Sequence, residues 1–247
     1  TGAVYGTGKR EENLRGYFAA ISAMDEQIGR LLDAVEEQGL ADNTVILFTA
    51  DNGMSMGQHG VWGKGNGTFP MNMYDSAVKV PFLISWPGHI PANTVCSEMI
   101  SACDLLPTIL KLTGLSDKQP TGLPGRSFTE LLEGRQLEHR DEVVIFDEYG
   151  PVRMIRTKEW KYVHRYPYGK HELYHLVDDP GEEKNLYGLP EYKKLVTQLK
   201  GRMEKWFCTY SDPAIDGVRS AVNGSGQLCR PGVYAIYEDP FAPKGVE

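Results

Sequence analysis

The amino-acid sequence has 247 residues, of which 41% are hydrophobic and 24% are charged, a balance typical of one large globular domain or of a domain with a smaller partner. The net charge of −7 argues against a nucleic-acid partner, because the sequence offers no basic stripe to neutralise phosphates. No apolar run approaches the roughly 18 residues that a membrane-spanning helix needs, so we predict no membrane span.

The first part of the chain predicts a helix-and-sheet domain. Apolar residues recur with a 3.6-residue period over residues 12–38, which predicts a long amphipathic helix. Two apolar runs, residues 44–50 and 80–86, predict buried strands. Ser101 and Asp104 form a capping-box pattern at the start of a helix that continues to about residue 113. This order is typical of an α/β domain whose sheet is covered on both faces.

The second part of the chain predicts a different architecture. Short strand patterns separated by turn residues are followed by one amphipathic helix, which indicates an α+β subdomain with an antiparallel sheet. We therefore place a domain boundary at residue 140, with residues 1–140 in the α/β core and residues 141–247 in the subdomain and its tail. The strands are predicted at residues 142–149, 152–156, 160–165 and 172–176, and the helix at residues 190–207.

The stretch FTADNGMSMGQHGVWGKGN contains the candidate site residues. Asp51 and Asn52 follow an apolar strand, and ligands of open α/β sheets bind at the carboxyl ends of strands. Their oxygens are hard donors that suit Ca²⁺ or Mg²⁺, although two ligands are too few for a complete site. Lys64 stands between glycines and is free to bind an anion. The alternative is that Asp-Asn-Gly is only a turn, because these residues favour turns for local reasons.

Several motifs together resemble one enzyme family. They are DNG-x₅-HG-x₂-GKG after TVILFTA, the helix motif SACDLLPTIL with its D-x-x-P-T pattern, and the hairpin ELYHLVDDPGEEKNL. In this order they resemble the C-terminal half of the formylglycine-dependent sulfatases of the alkaline-phosphatase superfamily. The resemblance extends over most of the chain, from about residue 2 to residue 207, and it implies the sheet-and-helix core of that superfamily followed by a small α+β subdomain.

The resemblance also implies roles for individual residues. Asp51 and Asn52 would be two ligands of a single divalent cation, usually Ca²⁺ with Mg²⁺ possible, and Lys64 would bind the sulfate group during catalysis. Phosphodiesterases of the superfamily usually carry a histidine after this aspartate, so Asn52 favours the one-metal arrangement of sulfatases. His59 would lie at the substrate mouth, or it only supports the backbone of the loop.

One feature of the family is absent from the sequence. No C/S-x-P-x-R pattern occurs, and this is the pattern from which the nucleophile formylglycine is made. We therefore expect formylglycine and the remaining metal ligands in a missing N-terminal half, which would be the main partner of this chain. The expected substrate is a sulfated carbohydrate or small molecule, the expected location is the periplasm or the exterior, and the isolated chain is expected to be inactive.

Two alternatives to a sulfatase stay open at this point. The first is a phosphodiesterase or phosphonate hydrolase of the same superfamily, and the second is a non-catalytic half-chain that serves binding. A polar cluster in the second part of the chain also has two interpretations. It belongs either to a hairpin that contacts the substrate or to a solvated hairpin, and the number of charged residues favours the solvated one. The cluster consists of His164, Arg165, Tyr166, Tyr168, Lys170 and His171.

Overall fold

The computed structural model describes residues 10–68, 71–135, 140–147, 150–166, 169–214 and 216–218 of the chain. Its helices are α1 (Arg10–Glu37), α2 (Asp75–Val78), α3 (Leu105–Leu112), α4 (Thr129–Leu132) and α5 (Lys193–Tyr210). Its strands are β1 (Ile46–Thr49), β2 (Ser55–Met56), β3 (Trp62–Gly63), β4 (Phe82–Ser85), β5 (Val143–Phe146), β6 (Val152–Arg156), β7 (Trp160–Arg165) and β8 (Glu172–His175). Over these ranges no helix combines the length and the apolar character needed to cross a membrane.

The elements predicted from periodicity and turn residues are present in the predicted order. Helix α1 coincides with the long amphipathic pattern to within two residues, and strands β6 and β7 have the predicted bounds. The predicted capping box is confirmed, because the Ser101 hydroxyl accepts from the backbone amide of Cys103 and the Asp104 carboxylate accepts from the backbone amide of Ser101, directly before α3. Helix α5 is preceded by a 3₁₀ turn at Pro190–Tyr192, where proline begins the helical segment.

Strands β1 and β4, which correspond to the two apolar runs of the first part, differ from the predicted covered sheet. Strands β1 and β4 pair antiparallel, from Ile46 opposite Ser85 to Thr49 opposite Phe82. Helix α1 buries none of its residues, and Leu83 of β4 is 59% exposed. The apolar stripe of α1 therefore lacks a packing partner among the described residues. The expected cover on both faces of this sheet is not found there.

The second part contains the predicted antiparallel sheet, in the order β5-β6-β7-β8. One face of this sheet packs on α5. Tyr162 and Leu173 from the sheet meet Leu199, Met203 and Phe207 from the helix in one buried cluster. Burying side chains of this size contributes about 1.5–3 kcal/mol each, so this cluster is the main core of the subdomain.

The other face of the sheet packs on residues 71–78, which we call the bridging segment because it connects the loop of the candidate site with β4. Met73 from this segment is buried with Val152, Met154 and Val163 of strands β6 and β7. The sheet is thus covered on both faces, by α5 on one side and by part of the first half of the chain on the other. Much of the tail, from residue 219 onwards, lies outside the described residues.

The alternation of β7 between these two faces explains why its charged residues are buried. Lys161 and Arg165 point to the bridging segment, where their side chains donate to the carbonyl oxygens of Met73 and Met71, at 3.0 and 3.1 Å. His164 points to the other face, where its Nδ1 lies 2.7 Å from the Tyr162 hydroxyl. The prediction of a solvated hairpin was therefore wrong for His164 and Arg165, which are buried and bind partners inside the fold, whereas Lys170 is exposed. Tyr168 of the same cluster lies outside the described residues.

Lys161 is the centre of a buried group of charges. Its side chain is fully buried, and Nζ lies 2.5 Å from both Asp75 Oδ1 and Glu182 Oε1. Arg156 also pairs with Asp75, at 3.1 Å, and the backbone amide of Asp75 donates to Glu182 Oε2 at 2.6 Å. Burial raises the pKa of Asp75, but Lys161 and Arg156 outweigh it and hold the pKa below its ordinary value. The group fixes the start of α2 on the sheet.

The D-x-x-P-T motif has a structural role in this fold. Asp104 is fully buried, accepts from the backbone amides of Ser101 and Arg126 at 2.8 Å each, and pairs with the buried guanidinium of Arg140. Thr108 accepts from the Phe128 amide at 3.0 Å. The motif therefore organises the connection that leads from α3 into the subdomain. The domain boundary at residue 140 stays a prediction.

We predict that Lys161→Met destabilises the chain by about 3–5 kcal/mol, because it leaves the buried Glu182 carboxylate without its cation and removes one of the two cations that pair with Asp75. Urea unfolding followed by circular dichroism measures this loss. The matched control is Lys158→Met, which removes an ammonium that is 53% exposed and pairs with Glu98. That change should cost less than about 1 kcal/mol. Equal losses in the two variants would contradict the assigned role of Lys161.

We also predict that His164 makes the chain sensitive to acid. Burial, together with the nearby His171, Lys200 and Arg153, lowers the pKa of His164 to about 3. In the unfolded chain the pKa returns to about 6.5, so between these values only the unfolded state binds the proton. The contribution of His164 to the free energy of unfolding should be constant above pH 6.5. Below pH 6.5 it should fall by about 1.4 kcal/mol per pH unit.

Urea unfolding at pH 7.5, 6.0 and 5.0 measures this slope. His164→Asn, which keeps an acceptor for the Tyr162 hydroxyl but does not titrate, should reduce the slope by about one proton equivalent. An unaltered slope in His164→Asn would show that another group causes the acid sensitivity.

Candidate functional site

Asp51 and Asn52 lie where the sequence predicted them, directly beyond the carboxyl end of β1. The Asp51 side chain is exposed, and Asn52 is partly buried. The Asn52 amide nitrogen donates to Asp51 Oδ1, which brings the two side chains together. The carboxylate keeps its remaining lone pairs for another ligand.

Gly53 fixes the position of this pair. Its backbone amide donates to the Ala77 carbonyl at 2.8 Å, and a Cβ atom at Gly53 would lie 2.2 Å from the Ser76 carbonyl oxygen. Ser55 adds a hydroxyl contact with Ser76 at 2.7 Å. Only glycine fits this close approach of two backbones, so the loop after β1 is held against α2.

The hairpin of β2 and β3 turns the chain back toward the loop that follows β1, and Lys64 comes directly after β3. Ser55 pairs with Gly63, so Lys64 comes to lie opposite Met54, three positions after Asp51 in the chain. Lys64 is exposed and has an extended backbone. Within the part of the chain that the structure describes, its ammonium has no hydrogen bond or ion pair. The hairpin that follows the Asp51–Asn52 pair therefore carries an exposed cation without a partner among the described residues.

His59 lies in the turn of this hairpin, in a left-handed backbone conformation with φ of 54°. Its ring stacks on Tyr74 of the bridging segment, with 3.7 Å between ring centroids and 4° between ring planes. Burial and the Glu172 carboxylate raise the pKa of Tyr74, so the phenol stays neutral. One face of the His59 ring is thus occupied by Tyr74, and substrate binding by His59 stays a prediction.

Asn72 is a residue of this site that the sequence did not single out. It belongs to the bridging segment and binds the backbone of Lys64 and Gly65 through its side-chain amide. The only signal in the sequence is an asparagine between two methionines, a polar residue in an apolar run. That pattern is compatible with many roles, so sequence reasoning alone had no means of connecting Asn72 with Lys64.

The donor groups of Asp51 and Asn52 suit the expected metal. Carboxylate and carboxamide oxygens are hard donors of the type that Ca²⁺ and Mg²⁺ prefer, and the two residues fit as neighbouring ligands. The described residues contain no group of three or more histidine, cysteine, aspartate or glutamate side chains that could hold a metal ion. The pair therefore fits as part of a metal site, and metal binding by the pair and anion binding by Lys64 stay predictions.

Comparisons with known proteins identify the family of this chain. The family model described as N-sulphoglucosamine sulphohydrolase, C-terminal, matches residues 57–208, more than half of the chain. The chain belongs to the sulfatase family. The membership predicted from the motifs is confirmed, and so is the alkaline-phosphatase-like fold, which the solved sulfatases similar to this chain share.

Individual sulfatases show how far the likeness extends. The chain is 31% identical over 219 residues to an N-acetylglucosamine-6-O-sulfatase of Bacteroides thetaiotaomicron, which covers 83% of this chain and 37% of the relative. A protein solved in complex with its substrate D-glucosamine-2-N,6-O-disulfate has a TM-score of 0.73 at 30% identity, over 84% of this chain and 42% of that one. The chain thus spans about two fifths of the length of these sulfatases.

One similar structure belongs to an enzyme with a different name. The phosphonate monoester hydrolase of Agrobacterium radiobacter has a TM-score of 0.67 at 27% identity, over 78% of this chain and 41% of that one. The fold is therefore shared between sulfatases and phosphonate hydrolases. The fold alone does not select one reaction.

We predict that Gly53→Ala destabilises the chain by about 1–3 kcal/mol, because the new methyl group meets a backbone oxygen that cannot move without shifting α2. The matched control is Gly29→Ala in α1, where a Cβ atom meets nothing within 4 Å. The control should be neutral or stabilising by up to about 1 kcal/mol, because alanine favours a helix. Thermal unfolding of both variants distinguishes these outcomes. A neutral Gly53→Ala would disprove the close contact.

Proposed function

We propose that this chain forms one wall of the active site in a sulfatase that hydrolyses a sulfate ester, with a sulfated carbohydrate as substrate. Family membership supports the reaction. The substrate class is supported by the relatives, since one is named for N-acetylglucosamine 6-O-sulfate chemistry and another was solved with a sulfated glucosamine. The remaining part of the enzyme supplies the rest of the site.

The observation that carries this proposal is the exposed ammonium of Lys64, which has no hydrogen bond or ion pair among the described residues and belongs to the hairpin that follows the Asp51–Asn52 pair. A sulfate ester places negative charge on its sulfuryl oxygens, and that charge is redistributed as the ester bond breaks. An ammonium that has no other partner can donate to these oxygens throughout the reaction. A preorganised cation of this kind stabilises the transition state without reorganisation of the site.

Asp51 and Asn52 would hold a divalent cation, Ca²⁺ first and Mg²⁺ second, together with ligands from outside the described residues. When bound, such a cation polarises the sulfuryl group and offsets its charge. The Asn52 carboxamide places its nitrogen on Asp51, so its oxygen faces away from the carboxylate and is available to a ligand. Asn52 also supports the one-metal arrangement, because a neutral amide is a weaker ligand for a second metal than the histidine found in related phosphodiesterases.

The nucleophile is expected outside this chain. The sequence has no C/S-x-P-x-R pattern, so formylglycine cannot be made from any of its cysteines or serines by the route that the family uses. Formylglycine would supply the nucleophile, while Lys64, Asp51 and Asn52 of this chain would bind and orient the sulfate. We therefore propose that the chain by itself has no sulfatase activity.

A phosphonate monoester hydrolase is the second candidate, because such an enzyme shares the fold of this chain. Phosphonate and sulfate esters both present anionic oxygens, and Lys64 would bind either. The two candidates make different demands on the complete enzyme. A sulfatase should prefer an aryl sulfate over an aryl phosphonate by its kcat/KM.

We predict that Lys64→Met in the complete enzyme lowers kcat/KM for 4-nitrophenyl sulfate by about 10²–10³-fold, the usual cost of removing one transition-state donor. The side chain is exposed, so the stability of the enzyme should not change. Steady-state kinetics and thermal unfolding measure the two effects. Lys79→Met is the matched control, because Lys79 is an exposed lysine close in sequence that the site does not use.

Two results would contradict the proposal. The first is wild-type kinetics in Lys64→Met, which would remove Lys64 from the reaction. The second is turnover of the aryl sulfate by the 247-residue chain alone in the presence of Ca²⁺, which would show that the chain contains its own nucleophile. A higher kcat/KM for the aryl phosphonate in the complete enzyme would favour the second candidate instead.

A further inference from the structure

Asn72 makes a set of contacts with the loop that carries Lys64. The residue is 4% exposed, and its amide nitrogen Nδ2 lies 3.1 Å from the Lys64 carbonyl oxygen, 3.2 Å from that of Gly65 and 3.3 Å from Thr68 Oγ1. Its backbone amide also donates to the Gly65 carbonyl, at 3.0 Å. The buried Asn72 side chain thus binds the carbonyl oxygens of two consecutive residues, Lys64 and Gly65.

These contacts fix the orientation of the carboxamide. The two carbonyl oxygens can only accept, so the NH₂ group and not the oxygen must face them. The side-chain oxygen Oδ1 is buried without a hydrogen-bond partner among the described residues. An unpaired buried acceptor is unfavourable, and an apolar residue of similar size would avoid it. The value of asparagine at this position therefore lies in its NH₂ group.

The segment that carries Asn72 is itself held on both sides. Arg165 donates to the carbonyl of Met71 and Lys161 to the carbonyl of Met73, so both neighbours of Asn72 are bound to strand β7. The backbone that carries the Asn72 side chain is therefore fixed in position. Lys64, in contrast, has an exposed side chain without a partner among the described residues, so only its backbone determines where the ammonium begins.

We propose that Asn72 is a positioning residue for Lys64. Asn72 is held by the subdomain and fixes the backbone of Lys64, and thereby the position of the anion-binding ammonium. This inference rests on the proposed function of Lys64 in binding the sulfuryl oxygens. Asn72 makes no contact with substrate in this role. Asn72 binds the Lys64 carbonyl and so fixes the backbone of Lys64. A small displacement of this backbone would move the ammonium away from the anion. Misplacement of such a group by about 1 Å can lower the rate by 10²-fold.

The test is a double-mutant cycle in the complete enzyme with Asn72→Asp and Lys64→Met. Aspartate has the shape of asparagine but presents an oxygen to two carbonyl oxygens, so it should push the Lys64 backbone away. We expect Asn72→Asp alone to lower kcat/KM for 4-nitrophenyl sulfate by about 10–100-fold and to raise the inhibition constant of inorganic sulfate by a similar factor. In the Lys64→Met background the same substitution should change kcat/KM by less than about threefold.

The matched control is Asn185→Asp. Asn185 also binds backbone groups through its amide, but at His171, Leu173 and Tyr187 in the subdomain, away from Lys64. The Asn185→Asp variant should leave the inhibition constant of sulfate unchanged even if the substitution lowers the stability of the enzyme. If Asn72→Asp does not fold, Asn72→Ser gives the same cycle with a milder expected loss, because a hydroxyl can replace only one of the donations.

The outcomes separate the inference from the function on which it rests. Equal losses from Asn72→Asp in the wild-type and Lys64→Met backgrounds, or an unchanged inhibition constant of sulfate, would overturn the positioning role while Lys64→Met still impairs the enzyme. Wild-type activity of Lys64→Met would instead overturn the proposed role of Lys64 and the inference with it.

Discussion

The ion pairs of Lys161 are the interaction on which the arrangement of the site depends. A fully buried ammonium is tolerated only where anionic partners surround it, and here they come from α2 and from the turn after β8. Strand β7 thereby holds the first residue of α2, and α2 holds Gly53 and Ser55. The strand end with Asp51 and Asn52 is fixed through this series of contacts to a sheet much later in the chain.

The subdomain therefore helps to shape the candidate site, although its own residues contact the bridging segment. Its sheet uses one face for the packing of α5 and the other for the bridging segment. Because β7 alternates between these faces, a sequence as polar as WKYVHR can lie in the interior. Each buried charge has a partner, which is the condition for burying it at all.

The sequence was sufficient for everything that depends on local pattern. The periods of the strands and helices, the turn after β8 and the capping box at Ser101 are local, and the motifs around Asp51 and Lys64 indicated the family. The partners of Lys161 and Asn72 could not be found in this way. Met73 is 88 residues from Lys161, and no periodicity relates a donor to an acceptor at that distance. Charge-rich strands are exposed in most sheets, so the expectation for β7 followed the general rule and failed on its particular contacts.

Helix α1 has a consequence for the dynamics of the chain. It is 28 residues long and buries none of them within the described structure, so its backbone hydrogen bonds have little tertiary support. Helix α5, in contrast, buries Leu199, Met203 and Phe207. Amide protons of α1 should then exchange with solvent through local opening, while those of α5 exchange only with the unfolding of its subdomain. Hydrogen exchange along α1 is thus a direct measure of whether another surface covers its apolar stripe.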